Sequence, residues 1–380
     1  MQSATACDAS TSAASTQVKH VLESLIAEGP EIGLQVAAYL DGQLVVDAWA
    51  GLADRAGGTP VDGETLFMLS STTKGVTATC AAVLADHGKL DYDRPVASYW
   101  PEFAAHGKDR VTVREVIAQR SGIPQTPVGY TPVWLSDWDR MVRGIADLVP
   151  MFPPGERTSY ASLTFGHMIG EVIRRIDGRP IGQFFQEEIA KPLGGLDVYL
   201  GVPDEALERV AVLEDGPAAP PEYDQRMVGE PAGSQVARWF NRREVQQAAI
   251  PGSGGIMSAR GLARMYAMLA NGGELDGVRI VSPAAIARAA ELQSYELDEI
   301  YRVRVRRGLG YRLGPDSGPG AGPTAFGHVG GGGSFGYADP DRRFGIAFAK
   351  NYFAYSSRAP VARRAGSVVA AAVVAALGLQ

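Results

Sequence analysis

The chain has 380 residues, 46% of them hydrophobic and 8% aromatic, with 46 glycines, so it can bury a large core in one domain or two and is globular rather than disordered. Its 36 basic and 42 acidic residues give a formal charge of -6 with no basic block that would track phosphates, which excludes nucleic acid as a partner. The two cysteines, Cys7 and Cys80, are too few for a disulfide framework, and Cys80 lies in an apolar run where a small buried thiol is expected.

In chain order, residues 1–16 are rich in Ser, Ala and Thr but lack the basic start and apolar stretch of a secretory signal, and read as a disordered leader. Residues 33–40 and 43–50 flank Asp41-Gly42, a dipeptide that predicts a tight β-hairpin. From about Ser71 to His87 apolar side chains recur at helical spacing, and Gly88 follows as a C′ glycine would, so Ser71 falls at a helix start. Between Leu90 and Leu213 further helical patterns, such as 113–118 and 163–176, are separated by Pro and Gly loops. Residues 215–250 carry Pro, charge and little periodicity, which predicts a long surface excursion rather than core. A helix over 259–269 stops at Asn271-Gly-Gly, and from Phe326 the pattern reverts to strands, 335–338 and 343–349, joined by Asp339-Pro-Asp. The apolar tail from Gly366 to Leu379 is shorter than the roughly 20 residues of a membrane span and should pack on the core, so a soluble, cytoplasmic protein is expected.

The simplest assembly is an α+β fold. Both chain ends, residues 17–88 and 252–380, share one antiparallel sheet covered by the N- and C-terminal helices, and residues 89–251 form a mostly helical inserted domain.

Chemistry enters at Ser71 and Lys74. On a helix, residues i and i+3 share a face, so the Ser71 hydroxyl and the Lys74 amine come within hydrogen-bond reach, a nucleophile beside a base. A helix N-terminus adds backbone N–H groups and partial positive charge, which favour an alkoxide and an oxyanion. For Lys74 to accept a proton near pH 7, burial or a neighbouring positive field must favour its neutral form. The tetrapeptide alone reads more readily as an N-capping serine and a solvated lysine, so context has to carry the catalytic reading.

Two more segments supply context: Tyr160-Ala-Ser162, and Phe326-Gly-His-Val-Gly330. In order and spacing the three resemble the motifs of the serine β-lactamase-like superfamily, in its class C and family VIII carboxylesterase branch, whose Ser-x-x-Lys is shared by penicillin-binding proteins. Residues 111–118 with Ser121-Gly-Ile-Pro124, Pro154-Gly-Glu156, and 254–259 resemble it too, so the likeness runs over roughly residues 30 to 375. The resemblance implies that Tyr160 helps Lys74 deprotonate Ser71 and then protonates the leaving group. It also implies that the N–H groups of Ser71 and Gly331 form an oxyanion hole, with Gly330 lining the substrate site. His328 stands where a β-lactamase carries a lysine, and Ser162 stands where an asparagine would contact a substrate amide. His328 is either a neutral hydrogen-bonding group behind the tyrosine or a strand residue with a satisfied ring, and Ser162 either shuttles a proton or faces Lys74 as a spacer.

Competing motifs are eliminated on context. Gly332-Gly-Ser-Phe-Gly336 matches the elbow of α/β-hydrolases, but a strand pattern follows it and no histidine lies beyond His328, so Ser334 is read as structural. The overlapping dinucleotide pattern opens a strand rather than a helix. Five histidines without a paired motif give no metal site, and no cofactor is expected. The glycines at 330–333 are read as room for a substrate to approach an edge strand. The leading function is a carboxylesterase on small esters. The alternative is an acyltransferase or amide synthase of secondary metabolism that passes the acyl group to an alcohol or amine, with Trp134, Trp138, Trp239 and Phe240 around the acceptor or simply packed in loops. Less favoured are a β-lactamase or D-amino-peptide hydrolase, and a non-catalytic penicillin-recognising binding protein.

Overall fold

In Phe344-Gly-Ile-Ala-Phe-Ala349 large and small apolar residues alternate, and a strand sends them to opposite faces, so one face must be filled by bulky partners and the other approached closely by backbone. That pattern organises the molecule. A computed structural model describes residues 12–216, 236–354 and 360–379. Seven strands, β1 (Gly33–Leu40), β2 (Gln43–Asp54), β3 (Thr59–Pro60), β4 (Arg312–Leu313), β5 (Phe326–Val329), β6 (Phe335–Asp339) and β7 (Phe344–Lys350), form one antiparallel sheet in the order β4-β5-β6-β7-β1-β2-β3. The N-terminal hairpin turns at Asp41 (φ 49°) and Gly42 (φ 79°), the paired positive φ that its two-residue connection requires. β1 then pairs with β7 from Leu34↔Lys350 to Leu40↔Phe344, joining the two ends of the chain.

Five of the helices frame the sheet and the site: α1 (Ala13–Glu28), α2 (Thr73–Asp86), α3 (Thr164–Asp177), α4 (Ala259–Ala270) and α5 (Pro360–Ala376). Phe344, Ile346 and Phe348, with Leu34 and Val36, pack against Val18 and Leu22 of α1 and Val369 and Val373 of α5. Ala347 and Ala349 lie on the opposite face, in one cluster with Leu262 and Tyr266 of α4. There Gly345 is obligatory, because a methyl group would overlap the backbone nitrogen of Ala267. The N- and C-terminal helices therefore share one face, and α4 alone of the three covers the other, a division that apolarity of the helices could not reveal.

Two further expectations are corrected. Ser12 Oγ accepts the Ser15 N–H at 3.1 Å and caps α1, so residues 13–16 are helical and not part of a disordered leader; residues 1–11, Cys7 among them, lie outside the described residues. The expected excursion over 215–250 is partly core. Val236, Ala237, Phe240, Val245 and Ile250 are buried with Leu66, Met68, Leu163, Val202 and Phe353, anchors that Pro-rich, charged surroundings conceal; residues 217–235 lie outside the described residues. No helix among the described residues is long and apolar enough to cross a membrane.

A second, three-stranded sheet links the two parts of the chain. Phe67–Met68, just ahead of Ser71, pairs antiparallel with Ile256–Met257, which also pairs with Val198–Tyr199. The segments before Ser71 and after Gly252 are thereby held side by side.

His167 on α3 is wholly buried against the Trp138 ring, with Nδ1 3.1 Å from the Leu163 carbonyl and Nε2 without a partner. Burial pushes its pKa down to about 4. Because the unfolded chain binds this proton near pH 6.5 and the folded chain does not, stability is full above about pH 6.5 and is lost on acidification towards pH 4. The loss should approach about 3 kcal/mol, and His167→Met should flatten that part of the stability curve in urea titrations from pH 7 to pH 4.

Candidate active site

The residues ahead of α2 turn sharply so that Ser71 sits on a short 3-10 turn, Ser70–Thr72, at the helix entrance. Ser70 takes a left-handed φ of 46°, which a non-glycine residue adopts only when its surroundings hold it. They do so from both sides. The Ser70 N–H donates to Met68 Sδ at 3.0 Å, and its carbonyl accepts the Thr73 hydroxyl at 2.5 Å. Thr73 Oγ1 in turn accepts the Gly255 N–H at 2.9 Å, and Thr77 donates to the Pro251 carbonyl at 2.7 Å, so one face of α2 is laced to the 251–255 turn.

Lys74 lies on that face and is completely buried. Its Nζ donates to the Ser162 and Gly252 carbonyls, both at 2.7 Å, and lies 3.3 Å from Ser71 Oγ. A buried ammonium is tolerated only with such acceptors. Ser71 itself is 6% exposed. The two carbonyls are brought together by glycine: a methyl at Gly166 of α3 would overlap the Gly252 nitrogen, and one at Gly252 would lie 2.6 Å from the Ser162 oxygen.

Tyr160 is buried with its ring centroid 4.6 Å from Lys74 Nζ. The backbone around it is clamped by Gln119, whose carbonyl accepts the Ser159 N–H at 2.9 Å and whose side chain accepts the Ala161 N–H at 2.8 Å. Gln119 has a φ of 64°, and sequence reasoning missed it, although it sits between two stretches that carried the resemblance. Thr73 and Thr77 were missed as well; the signal was a run of hydroxyls, Thr72, Thr73, Thr77 and Thr79, on an otherwise apolar helix.

His328 projects from β5, its ring centroid 6.2 Å from that of Tyr160. Its Nδ1 is 2.7 Å from the Val329 carbonyl and must carry the hydrogen. Burial, reinforced by the cations Arg312, Lys74 and Arg307, pushes its pKa far below the usual histidine range, so the ring is neutral. After β5, the Gly330 N–H is used within the turn, donating to the Ser334 carbonyl at 2.7 Å. Gly330 and Gly331 are glycine because the protein itself crowds them: a methyl at Gly330 would meet Ser334, Leu69 and Thr72, and one at Gly331 would lie 3.0 Å from Ser70 Oγ and 2.9 Å from the Phe353 ring. Close packing on the Ser70–Ser71 turn is thus a reason for these glycines beside the expected one, substrate approach to an edge strand. β5 is not an edge throughout, since β4 pairs with Phe326 and Gly327. Ser334 tightens the same junction, donating to the Leu69 carbonyl at 2.9 Å and meeting Thr72 Oγ1 at 3.1 Å.

The Beta-lactamase family model matches residues 21–371. The chain belongs to the Beta-lactamase family. It is 37% identical over 332 residues to the esterase/beta-lactamase LipL of Mycobacterium tuberculosis, covering 83% of this chain and 76% of LipL. Among solved structures, a family VIII carboxylesterase matches with a TM-score of 0.88 at 35% identity, over 96% of this chain and 98% of that one. A penicillin-binding protein homolog from Caulobacter crescentus matches with a TM-score of 0.85 at 34% identity, again over 96% and 98%.

In this Beta-lactamase-family chain, of the four tryptophan and phenylalanine positions suggested for an acceptor site, Trp134 and Phe240 are buried and Trp138 and Trp239 are half-buried. Trp134 is stacked by Arg140 at 4.1 Å, Trp138 donates to Glu171 at 2.9 Å, Trp239 is stacked by Arg242 at 5.2 Å, and Phe240 is core.

Gly166→Ala should separate the two carbonyls that hold Lys74 while leaving Ser71, Lys74 and Tyr160 in the sequence. The rate of Ser71 labelling by a fluorophosphonate should fall by about 10²-fold, as displacements near 1 Å typically cause. Labelling at the unaltered rate would show that the glycine contact does not set the lysine.

Proposed function

We propose that the protein is a serine carboxylesterase of small esters in which Ser71 is acylated, Lys74 is the base and Tyr160 carries the proton to the leaving group. The observation that carries the reading is the environment of Lys74. As a neutral amine it has two N–H bonds, which the Ser162 and Gly252 carbonyls accept, so its lone pair faces Ser71 Oγ at 3.3 Å. The same three directions serve the ammonium once the proton has moved. Membership of the Beta-lactamase family, together with 37% identity to an esterase/beta-lactamase and 35% to a family VIII carboxylesterase, supports a serine hydrolase.

In acylation Ser71 Oγ attacks the ester carbonyl carbon as its proton passes to Lys74. The carbonyl oxygen becomes an oxyanion that the N–H groups of Ser71 and Gly331 stabilise at the start of α2. Tyr160 gives its proton to the departing alkoxide oxygen and is reprotonated from Lys74, which returns to the amine. In deacylation the relay runs backwards: water loses a proton through Tyr160 to Lys74, its oxygen attacks the acyl carbon, and Ser71 Oγ leaves with the proton. The neutral His328 offers no cation to a substrate carboxylate, which favours neutral esters over β-lactams.

Ser71→Ala should abolish turnover of p-nitrophenyl butyrate without lowering the melting temperature; retained turnover would remove the nucleophile assignment. Tyr160→Phe should slow the acylation burst by about 10²-fold or more, the usual loss for a general acid-base group.

A further inference from the structure

Behind Tyr160 the chain makes a hairpin-like excursion over residues 292–307, which enters none of the motifs above. Its arms meet at Ser294↔Arg307 and Leu297↔Arg304. It is fastened to the Tyr160 segment by the Glu299 N–H donating to the Thr158 carbonyl at 2.9 Å, by Thr158 Oγ1 donating to Glu296 at 3.3 Å, and by an Arg120–Glu296 ion pair at 2.8 Å. Asp298 organises the tip. Its Oδ1 accepts the N–H groups of Ile300 and Tyr301 at 2.9 and 2.8 Å, and its Oδ2 accepts Arg307 Nη2 at 2.5 Å. Two side chains are thereby delivered to Tyr160: the Tyr301 ring, 4.8 Å away between centroids, and the Arg307 guanidinium, 5.7 Å above the ring.

We infer that Arg307, held by Asp298, is a positioning residue that stabilises negative charge on Tyr160 while its proton is on the leaving group. The inference rests on Tyr160 acting as the proton-transfer group. A buried Arg–Asp pair is seldom justified by stability, since apolar residues of the same volume commonly do as well or better. Here both members are almost wholly buried, and Arg307 Nε has no hydrogen-bond partner, so the pair is not optimised as a structural bond. The guanidinium is the member that faces the ring, and a cation attracts a phenolate ring more strongly than a phenol ring. Burial works against the guanidinium's charge, Asp298 counters it, and the attraction of Tyr160 adds to that support.

Among the described residues, charged and titratable groups face Tyr160 from α2, β5 and the excursion. Lys74 comes from α2, His328, neutral, from β5, and Tyr301, Arg307 and Asp298 from the excursion, with Arg312 of β4 acting on His328 and Arg307. With the strand position occupied by a neutral imidazole, Arg307 is the second cation over this ring beside Lys74.

The sign of the effect follows. Lys74 and Tyr160 must share one proton to work, and a nearby cation opposes a second. Without Arg307 the second proton binds more readily, so the acid limb of kcat/KM moves to higher pH.

The test measures p-nitrophenyl butyrate turnover from pH 5 to pH 10 in Arg307→Lys, Arg307→Met and the double variant Asp298→Asn with Arg307→Met. The double variant leaves no unpaired buried charge and keeps the Oδ1 acceptor of the tip, so it remains informative if Arg307→Met fails to fold. Arg307→Lys should follow the wild-type profile. Arg307→Met should show an acid limb raised by about one pH unit, as loss of a neighbouring cation at this range produces, with activity on that limb about tenfold lower and recovered at high pH; the double variant, which also removes the more distant negative charge of Asp298, should move the limb in the same direction by less. A folded double variant with the wild-type limb, whatever its amplitude, would overturn the inference. Tyr160→Phe measured alongside separates the two readings: if it acylates at the wild-type rate, the assignment of Tyr160 has failed, whereas a slow Tyr160→Phe with an unmoved double variant sinks Arg307 alone.

Discussion

A lysine with no solvent exposure must find acceptors for its hydrogens, and the arrangement that supplies them to Lys74 constrains much of the chain. The two carbonyls come from residues 162 and 252, on segments far apart in sequence, and each must reach 2.7 Å from one nitrogen. That convergence requires α3 to touch the 251–252 backbone directly, which only glycines at 166 and 252 permit. It also requires α2 to hold the same turn through Thr73 and Thr77. The second sheet, with Phe67–Met68 against Ile256–Met257, fixes the register of these pieces. Each device would be an ordinary packing detail on its own; together they hold the amine 3.3 Å from Ser71 Oγ.

The other wall of the site is made of backbone. The Gly330–Gly333 turn is pressed onto the Ser70–Ser71 turn by Ser334, by Phe353 and by the absence of side chains that would separate them. The strained Ser70 belongs to the same junction. A left-handed residue directly precedes Ser71, and the strain is held by bonds to Met68 and Thr73 instead of being relieved.

The periodic parts of this architecture were legible in the sequence. The Asp41-Gly42 hairpin, α2 with Gly88 after it, α3, α4 and the strands over 335–350 follow from turn chemistry and side-chain period, and all three motif segments converge on one site. What the sequence hid depends on contacts between distant segments. Nothing local marks the burial of Val236 and Phe240, because a few apolar anchors in a charged, proline-containing stretch leave no period. Nothing local marks Gln119, whose work is to receive one N–H on either side of Tyr160. The glycines after His328 were visible, but their crowding by the protein's own turn was not, since it and room for a substrate leave the same signature in one dimension.

The pairing of β1 with β7 joins residues as distant in sequence as Leu34 and Lys350, and just beyond it the Gly33 N–H donates to the Asn351 side chain, 318 positions away, at 2.8 Å. A chain emerging from the ribosome cannot close that sheet, nor press the 330–334 turn onto Ser71, until nearly all of it has been synthesised. Long-range closure of this kind is slow, and partly made chains expose the unpaired edges of β1 and β6 in the meantime. The surroundings of Ser71 are consequently completed late, and a product truncated before β7 would lack the strand that joins the two ends of the chain.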